Sequence, residues 1–157
     1  MKETDGKLEK RIAILLFAVY GFVMLMLLFV LSRDQYDLTR PYRELIRENH
    51  NFVPFYTVRS QLRCLFSGRP SLVRYAIVNL GGNTLLFVPL GFFLPLCFKR
   101  LRRLYKTLLA AAAVMTAVEL AQLFTLRGYA DIDDLMLNLL GTAIGYALFR
   151  LFFKRTE

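Results

Sequence analysis

Long apolar runs alternate with charged segments along this chain. The four runs cover residues 12–31, 75–98, 107–126 and 135–153. Each is close to the roughly 20 apolar residues that carry a helix across a bilayer core. The pattern predicts an all-α protein: an integral membrane four-helix bundle forming a single domain over residues 1–157. The first run is too long for a signal-peptide core and no small-x-small cleavage site follows it, so it reads as a retained anchor. The second run, YAIVNLGGNTLLFVPLGFFLPLCF, is irregular. Gly81, Gly82, Pro89, Gly91 and Pro95 interrupt it, and the prolines cannot donate to the carbonyls of Leu85 and Gly91. Such backbone survives at membrane depth where it is buried in protein or lines a wet cavity. In the third run Ala113, Ala117 and Ala121 form a small-residue stripe roughly opposite Glu119 and Gln122. In the fourth, Gly141 and Gly145 predict a closely approaching helix.

The connection 32–74 carries its own periodicity. Thr39 and Pro41 suit a helix start before YRELIREN. NFVPFYTV follows, apolar and aromatic, and Thr57 is placed to cap a second short helix. Val58, Leu62, Leu65 and Phe66 share one face of it, with Arg59 and Arg63 elsewhere. Gly68 would end that helix and Pro70 follows. This pattern fits either an amphipathic helix lying in the membrane interface or one packed on the domain's own core.

Composition sharpens the membrane reading. The chain is 56% apolar and 21% charged, a mixture that fits because the charges are segregated between the runs. The net charge of +9 would suggest nucleic acid in a soluble protein. Here the basic residues flank apolar runs, which points instead to membrane anchoring and anionic lipid. Lys99–Lys106, KRLRRLYK, holds five basic residues and no acid. By the positive-inside rule this loop is cytoplasmic, giving an N-in/C-in topology with Lys154 and Arg155 inside. Residues 32–74 and 127–134 are then extracytoplasmic. The eight arginines of 32–74 oppose this assignment, but they are spread out and diluted by Asp34, Asp37, Glu44 and Glu48. Cys64 and Cys97 fall at opposite faces and read as unpaired thiols.

The candidate chemistry lies in ELAQLFTLRGYADIDDLMLN, residues 119–138. Ionisable groups inside apolar helices are costly and point to a working site. At 1.5 Å per residue, Asn79, Asn83, Glu119, Gln122 and Asn138 all lie within about 12 Å of the membrane face that carries 32–74. A shared polar pocket opening toward 32–74 and 127–134 is expected. Each part has a structural alternative. Asn79 and Asn138 suit helix–helix hydrogen bonding, and Glu119 suits a protonated hydrogen-bonder. Asp133 or Asp134 suits a cap on the fourth span. Arg127 suits an ion pair with any of these acids, and the lone His50 a solvated position.

These same residues carry a family resemblance. Asn51, Pro54 and Phe55 stand in the connection, and Asn83, Leu86, Phe87, Pro89, Leu90, Gly91 and Phe92 in the second span. Glu119, Gln122, Arg127, Asp131, Asp133, Asp134, Asn138, Gly141, Gly145 and Tyr146 follow. In order and spacing they resemble the VanZ family of small bacterial membrane proteins. Gly81–Gly82 is not part of that pattern, and a loosened helix is expected there. The resemblance implies a multi-pass protein of the bacterial plasma membrane and a link to low-level teicoplanin (lipoglycopeptide) resistance. It assigns no mechanism.

Two readings of the pocket follow. In the first, a non-enzymatic envelope protein binds a membrane lipid, a lipid-linked precursor or a lipoglycopeptide. Asn83, Gln122, Arg127 and Asn138 would hold the head group, with Arg59 and Arg63 on its phosphate or carboxylate. In the second, an intramembrane enzyme acts on a lipid-linked precursor. Glu119 would serve as general acid or base beside Asp131 and Asp134. Asp131, Asp133 and Asp134 would supply oxygen ligands to a divalent cation as cofactor. The chain has no Ser-His-Asp, HExxH or CxxC arrangement, and its one histidine disfavours zinc. A proton or cation path through Glu119 finds no polar continuation in the inner halves of the spans.

Overall fold

A computed structural model describes residues 2–31 and 39–153. Residues 32–38 of the long connection, and Lys154 and Arg155, lie outside the described residues. Helix α1 (Lys2–Met26) ends in a wider π turn, Leu27–Leu31. The connection holds α2 (Tyr42–Glu48), the short strand β1 (His50–Asn51) and α3 (Tyr56–Leu65). The second span is split into α4 (Pro70–Leu86) and α5 (Val88–Cys97). Helix α6 (Leu104–Thr125), strand β2 (Ala130–Asp131) and α7 (Ile132–Phe153) complete the described chain.

Four helical stretches are long and apolar enough to cross a membrane: Leu8–Val30, Pro70–Cys97, Leu104–Thr125 and Ile132–Phe153. All four begin a few residues earlier than the hydrophobic pattern predicts, because polar first turns join each helix. The outward surface is apolar. Leu15, Phe22, Leu109 and Leu151 are each more than 60% exposed, which suits contact with lipid rather than water.

The second span breaks at Phe87 and not at the glycine pair. Helix α4 runs through Gly81 and Gly82 without interruption, and nothing approaches within 4 Å of where their Cβ atoms would lie. Pro89 falls in the first turn of α5, where its missing N–H breaks no helical bond. On either side of that break α7 packs backbone to backbone on α4 and α5. A Cβ at Gly91 would overlap the Thr142 carbonyl, one at Gly141 the Thr84 carbonyl, and one at Gly145 the Val88 carbonyl. The glycines therefore set the helix separation. Met24, Phe87, Leu90, Leu94, Ala111 and Met115 fill the core beside this seam.

The connection folds back onto the bundle. Helix α3 packs on α4 and reaches α7. It buries Gln61 yet leaves Leu62 and Phe66 exposed, so it is both packed on the core and apolar on its outer side. Strands β1 and β2 pair in parallel, His50 beside Ala130 and Asn51 beside Asp131. Neither cysteine forms a disulfide.

Candidate functional site

The polar side chains of the spans meet in one chamber of about 560 Å³, at the end of the bundle beneath the connection. Helix α4 contributes Asn79 and Asn83, α6 contributes Glu119 and Gln122, and α7 contributes Asp134 and Asn138. Helical periodicity explains each pair: residues three or four apart share a face. Glu119 stands six residues from the end of α6 and Asn138 six from the start of α7, about 9 Å into each helix. The connection supplies a second wall through Asn49, Asn51, Tyr56, Thr57 and Gln61, and Tyr75, Tyr129 and Asp131 close it.

Two aspartates fix this second wall. Asp131 accepts the backbone N–H of Asp133 at 2.9 Å, capping α7. Its other oxygen accepts the Thr57 hydroxyl at 2.5 Å. Asp133 is fully buried and holds the start of α3, accepting the N–H groups of Phe55 at 2.6 Å and Val58 at 2.9 Å. Phe55 has φ +63°, a conformation that bulky residues rarely adopt, and the bond to Asp133 keeps it there. Asn51 completes the turn by accepting the Val53 N–H at 3.1 Å. Further along, Asn49 donates to the Gly128 carbonyl at 2.7 Å and Tyr129 donates to the His50 carbonyl at 2.8 Å. Burial, then the charge of Asp131 and the neighbouring Tyr56, push the Tyr129 phenol up, so it remains a donor at neutral pH.

Of the residues singled out in the sequence, Asn83, Glu119, Gln122, Asp131, Asp134 and Asn138 line the chamber. Asn83 donates to Asp134 in a short contact. Gln122 donates to the Leu28 carbonyl at 2.8 Å, tying α6 to the π turn of α1. Arg127 lies off the wall; its guanidinium donates to the Phe29 carbonyl at 3.3 Å. Arg59 and Arg63 lie on the exposed side of α3, also off the wall. The three aspartates do not gather into a cation site. Asp133 spends both oxygens on α3, and no group of three metal-ligating side chains occurs among the described residues. The cap on α7 is Asp131, not Asp133 or Asp134.

Gln61, Tyr56 and Tyr129 are wall residues that the sequence did not single out, and Thr57, expected to cap α3, instead donates to Asp131 while Phe55 takes the cap position without a side-chain bond. Gln61 left a signal: it shares a helical face with Val58 and Leu65, where a polar residue needs a polar neighbour. The tyrosines left none. Gln61 Oε1, Glu119 Oε2 and Asn138 Oδ1 are buried and have no hydrogen-bond partner in the protein. All three residues line the chamber. A buried polar atom left unpaired costs about 1–3 kcal/mol.

Spans of this length around a polar end chamber define a multi-pass α-helical membrane protein. The chain belongs to the VanZ/LLP1 family, which matches residues 17–153 and so includes every residue of the chamber wall. Neither a curated protein nor a solved structure matches it.

Proposed function

We propose that this VanZ-like membrane protein binds the head group of a lipid-like or lipid-linked envelope molecule in the chamber, without transforming it. The carrying observation is the set of unpartnered buried atoms on Gln61, Glu119 and Asn138, which come from three different helices and line one cavity. A bound head group would pair them. Arg59 and Arg63, exposed on α3, are placed to meet a phosphate outside the chamber. The orientation follows the basic loop 99–106: the chamber opens away from the cytoplasm of a bacterial cell. The link between VanZ proteins and low-level teicoplanin resistance extends to this chain on the same reading, the chamber taking an envelope molecule that the lipoglycopeptide also contacts. The test is expression in a teicoplanin-susceptible bacterium, together with binding of a polyprenyl-linked saccharide to the purified protein. Asn83→Leu should abolish both at unchanged membrane abundance. Full retention of both would end this reading.

A second reading keeps the chamber but adds chemistry. Glu119 Oε2 is unpaired in a cavity that also holds Asp134, two carboxylates available for proton transfer. Glu119→Gln separates the two. Under binding alone the variant keeps most of its phenotype. Under catalysis it still binds but loses the phenotype entirely.

A further inference from the structure

We propose that the group taken into the chamber is an uncharged polyhydroxylated ring, a sugar, rather than an anionic or ammonium head group. The inference rests on the binding reading above and specifies its ligand. Three features of the wall carry it.

The wall has no lysine or arginine, and it has carboxylates at Glu119, Asp131 and Asp134. In a cavity of low dielectric a phosphate or carboxylate ligand would face these acids with no counter-charge. The arginines beside wall residues in the sequence, Arg59, Arg63, Arg74 and Arg127, are all exposed and none of them lines it. An anion therefore belongs at the rim and not within.

The unpaired atoms ask for donors. Gln61 Oε1 and Asn138 Oδ1 are amide oxygens, which only accept. Both residues are 5% exposed, so they are settled parts of the wall. Ammonium would also donate to them. However, a phospholipid ammonium carries its phosphate two carbons away, where the acids of the wall would repel it.

The rest of the wall is mostly amides and phenols. An amide side chain presents a donor and an acceptor together, matching hydroxyls, each of which donates and accepts. Asn79 and Asn83 each spend one N–H, on the Tyr75 carbonyl and on Asp134, and keep the second N–H and the amide oxygen for a ligand. Tyr56, Tyr75 and Tyr129 add flat apolar faces with a polar tip, suited to the C–H face of a sugar ring. The cavity volume, about 560 Å³, lies within the range of roughly 300–1,000 Å³ usual for small-molecule sites.

The experiment is a lipid-binding panel on the full-length protein by native mass spectrometry. It compares monoglucosyl-diacylglycerol with diacylglycerol, phosphatidylethanolamine and phosphatidylglycerol. The sugar lipid should bind at least tenfold more tightly than the other three. Gln61→Met, checked for an unchanged melting temperature, should weaken it roughly three- to tenfold, the worth of one hydrogen bond. Equal binding of diacylglycerol, or tighter binding of phosphatidylethanolamine or phosphatidylglycerol that remains sensitive to Asn83→Leu, overturns the sugar assignment and leaves the binding reading standing. Lipid binding insensitive to both substitutions, or no binding at all, overturns the two together.

Discussion

The middle of the bundle and its chamber end hold together by different means. Toward the middle of the bundle, Gly91, Gly141 and Gly145 press main chain against main chain beside a dry core. At the chamber end, side chains of Asn83 on α4 and of Asp134 and Asn138 on α7 line a polar cavity instead. The seam leaves no freedom, since any added atom displaces backbone. The chamber leaves polar atoms unpaired, so its residues have not been chosen for stability alone. The glycine seam fixes where α4, α5 and α7 stand, and the chamber uses the geometry so fixed.

The largest break in this contrast should come from the seam. Gly145→Val drives a branched side chain into the Val88 carbonyl and should cost at least about 3 kcal/mol, the upper end for overpacking, read as loss of a monodisperse folded species. Gly81→Ala, in the same bundle with nothing within 4 Å, should stabilise by up to about 1 kcal/mol through helix propensity. If both glycines tolerate substitution equally, the seam is not what sets the spacing.

Next in size is the lock on the connection. Asp133→Ala removes the acceptor of two half-buried N–H groups at the start of α3 and should cost about 2–4 kcal/mol. Limited proteolysis should then cut within 50–69 first, before the spans are attacked. Cleavage that stays as slow as in the wild type would mean α3 docks without this aspartate.

Chamber substitutions should cost little stability. Gln61→Met removes an unpaired buried oxygen and should leave the melting temperature unchanged or raise it by a few degrees. A clear fall would show that the side chain is structural. The smallest effect belongs to the exposed pair Arg40–Glu48, bonded through two 2.8 Å contacts. The hydrogen bond from Arg40, and then its charge, hold the Glu48 carboxyl below its ordinary range. Its contribution is present above the unfolded value and fades as pH falls through the lower folded value. Amide protection factors in α2, taken relative to intrinsic exchange, should fall slightly over that acidic window, and Glu48→Gln should abolish that fall.

The spans were legible because apolar length and polar interruption act locally. Asn83, Glu119, Gln122 and Asn138 were legible as a group because depth along a helix follows from counting residues. The break at Phe87 was not, since two prolines and three glycines offered several places for it. The lock was not legible either. Thr57 and Asp131, or Phe55 and Asp133, lie more than seventy residues apart and meet only through the tertiary fold. The two-residue pairing of β1 with β2 is too short to leave a periodic signal. Gln61 could have been found as a polar residue on an otherwise apolar face of α3.

Gln122 and Arg127 both grip α1 at main-chain oxygens, those of Leu28 and Phe29. Such a grip is blind to which side chains the first helix carries there. The grip itself therefore survives a change of side chain at either position, provided the helix unwinds at the same height. A one-residue insertion ahead of Leu28 would instead rotate both oxygens out of reach.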